Sequence, residues 1–110
     1  MSRICQIAPE DATGKTKELL DGVRTKMGML PNLFLTMANS PEVLEGFVGL
    51  KDALDRGVLP AKLREEIGLA VSQCNHSEYC VAGHTAIGKT LGLSDDEIMA
   101  IVKYMRSLSE

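Results

Sequence analysis

The sequence contains no tryptophan, and its aromatic residues make up only 4% of the chain. A surface that stacks bases or sugars needs several aromatic rings, so we expect no site of that kind. The chain also lacks a basic block, since 12 lysines and arginines stand against 15 aspartates and glutamates, for a net charge of −3. This balance disfavours a nucleic-acid partner or an anionic membrane surface.

Long apolar runs are absent as well, and the cysteines do not form complete pairs. No apolar run approaches the roughly 20 residues that a transmembrane helix needs, and the first residues do not form the apolar segment of a signal peptide. The three cysteines, Cys5, Cys74 and Cys80, are an odd number. We therefore expect free thiols in a reducing compartment, which is typical of a cytoplasmic protein.

The pattern of the 110 residues predicts an all-α fold, a single domain over residues 1–110 with six helices. Apolar residues recur three and four positions apart, and no convincing alternating run indicates a strand. Glycine, proline and serine mark the ends of the predicted helices. These are a first helix ending at residue 28, then helices over 29–39, 40–57, 60–74 and 77–92, and a last one that begins after the cap Ser94.

The fifth predicted helix carries the most reactive side chains. Ser77, Cys80 and His84 fall on one face, and Cys80 and His84 are neighbours because they are four residues apart. With Ser77 as the N-cap, Cys80 lies in the first turn, where exposed N–H groups and the helix dipole favour a thiolate. A neighbouring imidazole can take up the thiol proton. The alternative is that Cys80 and His84 are ordinary core residues.

The fourth predicted helix has two faces that suit burial. The main apolar stripe consists of Leu63, Ile67, Ala70, Val71 and Cys74. Nearly opposite lies a small, partly apolar face that contains Glu65, Gly68, Leu69 and Ser72. Glu66 borders the apolar stripe, and periodicity alone does not decide whether Glu65 or Glu66 is withdrawn from water.

Residues 64–71 and 77–84 together resemble the carboxymuconolactone decarboxylase/AhpD-like family, in the peroxidase-related branch of its alkylhydroperoxidase core. The AhpD signature is a glutamate, eleven residues, a Cys-x-x-Cys pair, three residues and a histidine. Glu65, Ser77, Cys80 and His84 stand in that register. Residues 28–34 and 92–98 are similar to the segments that flank the motif, so the likeness covers roughly residues 25–105.

This resemblance implies roles for individual residues. It selects Glu65 over Glu66, and it makes Cys80 the thiol that attacks a hydroperoxide, with Glu65 and His84 as the proton relay. In the family, the first cysteine of the pair resolves the sulfenic acid as a disulfide. Ser77 occupies that position here and cannot form a disulfide.

A resolving thiol therefore has to come from elsewhere. Cys74 is a candidate only if the chain breaks at residues 75–76, because a continuous helix would separate Cys74 and Cys80 by about 9 Å of rise. A disulfide needs Cα atoms within about 7 Å. Otherwise an external thiol reductant must recycle Cys80. Tyr79 is a supporting candidate that can donate a hydrogen bond to a substrate, although a half-buried tyrosine at a helix start would look the same.

Taken together, these features favour a thiol-dependent alkylhydroperoxide reductase-like oxidoreductase, an antioxidant peroxidase without a bound cofactor. Its substrate would be a hydroperoxide or a small organic molecule. The alternatives are a cofactor-free decarboxylase acting on a small carboxylated lactone and a non-catalytic helical assembly module. We expect no metal, since Cys74, His76, Cys80 and His84 do not follow a standard zinc spacing. The resemblance also implies a homo-oligomer, a trimer or a hexamer.

Overall fold

The computed structural model describes residues 3–108, over which the chain forms six α-helices and one short 3-10 helix. The elements are the 3-10 helix Pro9–Asp11 and the α-helices α1 Gly14–Met27, α2 Asn32–Met37, α3 Pro41–Asp55, α4 Ala61–Cys74, α5 Glu78–Thr90 and α6 Asp95–Ser107. No strand occurs within residues 3–108, so the all-α prediction is confirmed. None of the described helices is long and apolar enough to cross a membrane.

Local signals in the sequence set most of the helix ends. Gly28 ends α1 in the left-handed conformation, with φ 72°, which glycine adopts without steric cost. The Ser40 hydroxyl accepts a hydrogen bond from the Val43 N–H at 3.4 Å and caps α3. The Ser94 hydroxyl accepts one from the Glu97 N–H at 3.1 Å and caps α6. These three predicted ends are confirmed.

Other predicted ends were wrong in detail. The second helix covers only Asn32–Met37 instead of residues 29–39, because Pro31 is extended (ψ 146°) and forms the N-cap. A proline also disfavours the helical conformation of the residue before it, so the helix begins only after Pro31. The third helix ends at Asp55, two residues earlier than predicted. Ser77 is the N-cap residue of α5, but its hydroxyl makes no capping hydrogen bond.

The chain divides after Gly57 into two compact units. In the first unit, α1 and α2 both pack against α3. Its buried core contains Ala12, Leu20, Val23, Phe34, Leu35, Ala38 and Leu44. In the second unit, α4 packs against both α5 and α6. Its smaller core contains Leu69, Leu93, Ile98 and Val102. A single domain over residues 1–110 stays a prediction.

The buried face of α4 is not its most apolar one. Leu69 is completely buried and Ser72 is 6% exposed, so the small face forms the core contact. The apolar stripe lies at the surface, where Leu63, Ile67 and Val71 are 39%, 44% and 54% exposed. Of the two faces that the sequence marks for burial, the second unit itself covers only the smaller one.

Candidate active site

Glu65 on α4 and His84 on α5 meet where the two helices pack together. The imidazole Nδ1 of His84 lies 2.6 Å from Oε2 of Glu65. The side chains are 34% and 16% exposed, respectively, so the pair is partly withdrawn from water. An ionised carboxylate only accepts hydrogen bonds, and Nδ1–H therefore donates to it. In that arrangement, Nε2 of a neutral imidazole is left as a proton acceptor.

The turn between α4 and α5 brings these two residues together. His76 adopts the left-handed conformation with φ 55°. The Ser77 N–H donates to the Ser72 carbonyl at 2.9 Å, and the His76 N–H donates to the Gln73 carbonyl at 3.0 Å. This pair of hydrogen bonds is the Schellman motif, which ends a helix and redirects the chain. The turn is also the break at residues 75–76 that a disulfide between the flanking cysteines requires.

Cys80 lies exposed in the first turn of α5, four residues before His84. Its exposure excludes the interpretation of Cys80 as a small core residue. Within residues 3–108, no hydrogen bond joins its thiol to His84. The two side chains are still neighbours on one helix, because positions i and i+4 lie one turn apart. The site therefore holds an accessible thiol beside an imidazole whose other neighbour is a carboxylate.

The supporting residues predicted from the sequence lie near Cys80, at the end of the α4–α5 pair where the chain turns from α4 into α5. Cys74 is the last residue of α4, and its thiol is exposed and free. Ser77 is partly buried at the start of α5. Tyr79 follows in the first turn and is 52% exposed. Glu66, the rejected alternative to Glu65, is not the carboxylate that contacts His84.

Two other features of this region bear on its chemistry. No group of three or more histidine, cysteine, aspartate or glutamate side chains is placed to hold a metal ion in the part of the chain that the structure describes. The arginine next to Glu65 in the sequence, Arg64, directs Nη1 to the Leu59 carbonyl at 2.6 Å. Its guanidinium is thus engaged with the backbone at the start of α4.

Gly68 is the site residue that the sequence analysis did not assign a role. It lies on the same face of α4 as Glu65, three residues later, and the His84 imidazole packs against its Cα. The sequence offered one signal: a glycine interrupts a stretch of good helix formers, and such a glycine often marks a close approach.

Comparisons with known proteins agree with this fold and match the chain to a family. The model of the carboxymuconolactone decarboxylase family matches residues 41–109, which include Glu65, Cys80 and His84. The structure is similar to that of the alkylhydroperoxidase AhpD core from Rhodospirillum rubrum, with a TM-score of 0.88 and 23% sequence identity. That similarity covers 99% of this chain and 85% of the other. No curated protein matches the chain at a significant level.

Proposed function

The chain belongs to the carboxymuconolactone decarboxylase family, and we propose that it acts as a thiol-dependent hydroperoxide reductase through Cys80, His84 and Glu65. One observation carries the proposal: the 2.6 Å contact between Glu65 and His84, one helical turn from an exposed thiol. An imidazole held by a carboxylate and adjacent to a thiol is the arrangement that activates a cysteine nucleophile.

The first chemical step oxidises Cys80 and reduces the peroxide. Nε2 of His84 takes the thiol proton, and the resulting imidazolium is stabilised by the Glu65 carboxylate. The thiolate attacks the terminal peroxide oxygen, so an S–O bond forms while the O–O bond breaks. The leaving alkoxide then receives the proton from Nε2. The products are an alcohol and a sulfenic acid on Cys80, and the relay returns to its starting state.

The second step reduces the sulfenic acid with an external thiol. That thiol condenses with Cys80–SOH, releases water and leaves a mixed disulfide, which a further thiol reduces. Cys74 is an alternative resolving thiol, since the chain turns between Cys74 and Cys80 and both thiols are exposed. Ser77 and Tyr79 would support the reaction by hydrogen bonding at the mouth of the site. Such thiols require a reducing compartment, for which we propose the cytoplasm.

The same site could instead bind a small carboxylated lactone and decarboxylate it without a thiol intermediate. The family name favours this second candidate. Arg64 is the arginine closest in sequence to Glu65, and its contact with the Leu59 carbonyl makes it a poor anchor for a substrate carboxylate. We rank decarboxylation second for that reason. A non-catalytic assembly role ranks third because it leaves the Glu65–His84 contact without a use.

We further propose that the protein is a homo-oligomer in which a second copy covers the apolar stripe of α4. Leu63, Ile67 and Val71 follow one another at one-turn intervals and are each at least 39% exposed. Such a stripe favours association over exposure to water. Sizing at micromolar concentration should give a trimer or a hexamer. A Val71→Lys variant should dissociate it, whereas a species of 11.9 kDa in the wild type would refute the assembly.

The deciding experiment follows thiol oxidation in the full chain. Reduced protein is mixed with an equimolar organic hydroperoxide, and intact mass is recorded over time for the wild type and for Cys80→Ser. We expect a rapid gain of one oxygen atom that is lost in Cys80→Ser and retained in Cys5→Ser, since Cys5 is an exposed thiol outside the site. Glu65→Gln should slow the reaction by about a hundredfold. Oxidation of Cys80 no faster than that of Cys5 would reject the peroxidase.

A further inference from the structure

The His84 imidazole lies so close to Gly68 that no side chain fits between them. A Cβ added to Gly68 would stand 2.6 Å from Cε1 of His84, 2.7 Å from Nδ1 and 2.8 Å from Nε2. Nonbonded contacts of a Cβ below 3.0 Å essentially never occur in proteins. The present position of the ring therefore excludes every residue except glycine at position 68.

The three distances also show which part of the ring faces α4. A Cβ approaching Cε1 within the ring plane would be clearly farther from both nitrogens than from that carbon. Near-equal distances to three consecutive ring atoms mean that the Cβ would point at the face of the imidazole. The backbone at Gly68 thus packs against the face of the imidazole ring. Glu65, one turn earlier on the same helix face, contacts the Nδ1 edge of the ring.

The backbone does not require a glycine here. Gly68 is in the middle of α4, and it is not among the glycines with positive φ, which are Gly14, Gly28 and Gly92. Alanine is the better helix former, so helix stability alone favours alanine at this position. What glycine provides at position 68 is room for the imidazole.

We propose that Gly68 is a positioning residue, which sets the plane of the His84 ring so that Nδ1 meets Glu65 and Nε2 remains available for the reaction. The inference deepens the proposed peroxidase by adding a residue to its relay, and it rests on that function only for the kinetic measurement below. A side chain at position 68 displaces the imidazole rather than the backbone, because the ring is the movable partner.

The test uses the full chain labelled with ¹⁵N-histidine, in which His84 and His76 are the two histidines. In the wild type at neutral pH, His84 should show a protonated Nδ1 engaged in a hydrogen bond, and exposed His76 serves as the internal reference. Gly68→Ala should remove this signature, and Glu65→Ala, which removes the hydrogen-bond acceptor, should do the same. The matched control is Gly83→Ala on α5, where an added Cβ has no atom within 4 Å and the signature should persist.

Kinetics provide the second readout. Gly68→Ala should slow Cys80 oxidation by about tenfold or more, since small misplacements of a catalytic group are costly. Combined with Glu65→Ala, it should add little further slowing, because both changes disrupt the same contact. An unchanged histidine spectrum in Gly68→Ala would overturn the inference while leaving the peroxidase intact. A lost signature together with slow oxidation in the wild type would instead reject the peroxidase and retain the positioning role.

Folding is checked by a double substitution. If Gly68→Ala lowers the unfolding temperature, the loss should disappear when His84→Ala removes the ring that the new methyl group meets. A loss that persists in the His84→Ala background would show that Gly68 serves the backbone packing of α4, and the inference would fail.

Discussion

Within each of the two units, the helices pack together through a different kind of contact. In the first, large side chains fill the space between α1, α2 and α3, and Phe34 and Phe47 meet edge to face at a centroid distance of 5.7 Å. In the second, glycines permit close approach, since a Cβ at Gly68 or Gly88 would collide with His84 or Leu93. Large side chains fill the space between the helices of the first unit, whereas in the second unit backbone at two glycines lies close to the side chains that pack on it.

A polar side-chain pair crosses a helix contact in each unit, and the two pairs differ in their exposure to water. Lys26 and Asp52 join α1 to α3 at 2.7 Å, with side chains 63% and 30% exposed. His84 and Glu65 join α5 to α4 at 2.6 Å, at 34% and 16%. Water and salt weaken the first pair, as they do most surface ion pairs. The second pair is better shielded from water, so it is better suited to holding an imidazole in one orientation.

The largest loss of stability should come from truncating one buried leucine in each of the two cores. Leu44 and Leu69 are the fully buried leucines of the first and second units. Leucine-to-alanine changes at such positions cost about 2–5 kcal/mol. We expect a loss in that range for each, measured by urea unfolding. Only Leu69→Ala should also slow Cys80 oxidation, because Leu69 follows Gly68 on α4, the helix whose Glu65 contacts His84.

Leu44→Met and Leu69→Met are the matched controls, since they nearly preserve volume and should cost less than about 1.5 kcal/mol. Equal slowing of Cys80 oxidation by Leu44→Ala and Leu69→Ala would contradict the separation of roles. It would indicate that the site depends on the packing of both units alike.

Much of this fold was predictable from short-range signals, while the site was predictable only in part. The helix ends at Gly28, Ser40 and Ser94 follow from local rules about φ and capping, which do not depend on distant residues. The partner of His84 does depend on them. Glu65 and Glu66 differ by one position, and only the relative placement of α4 and α5 decides which carboxylate meets the ring.

Periodicity marked two faces of α4 for burial, but for a similar reason it could not say which of them the second unit itself covers. Apolar patterning identifies surfaces that avoid water, but it does not say what covers them. The stripe with Leu63, Ile67 and Val71 is the most apolar face, yet the face with Gly68 and Leu69 packs inside the unit. Small residues allow helices to pack closely although their hydropathy is low. Hydropathy alone therefore ranks the two faces of α4 in the wrong order for burial within the unit.

Smaller losses of stability should result from removing the serine hydroxyls at the helix N-caps, and they should differ from cap to cap. Ser94→Ala should destabilise the protein by about 1 kcal/mol, the usual cost of losing a capping hydroxyl. Ser40→Ala should cost somewhat less, because its hydrogen bond is longer, 3.4 Å against 3.1 Å. Ser77→Ala should cost least, since that hydroxyl caps nothing. Urea unfolding measures all three, and a loss in Ser77→Ala as large as that in Ser94→Ala would refute the ranking.

The smallest effect on stability should come from breaking the Lys26–Asp52 ion pair of the first unit. The Lys26 ammonium, through its hydrogen bond and its charge, holds the pKa of Asp52 below the ordinary 3.8, with Lys51 and Arg56 adding to it and desolvation opposing it. A carboxyl whose pKa is lowered by folding stabilises the protein above its unfolded pKa, and that contribution is lost as the pH falls through the lowered value. Carboxyl NMR titration should therefore give a midpoint below 3.8 for Asp52.

Lys26→Met should move that midpoint upward, whereas Lys17→Met, which removes the separate pair with Asp21, should leave it in place. Any stability difference between the wild type and Lys26→Met should be present near neutral pH and vanish in acid. Cys80 oxidation should proceed at the same rate in both, because the pair contributes no group to the Glu65–His84 site. An unmoved midpoint in Lys26→Met would assign the shift to Lys51 and Arg56. A slowed oxidation would show that the exposed pair acts on the site, contrary to the role that its exposure gives it.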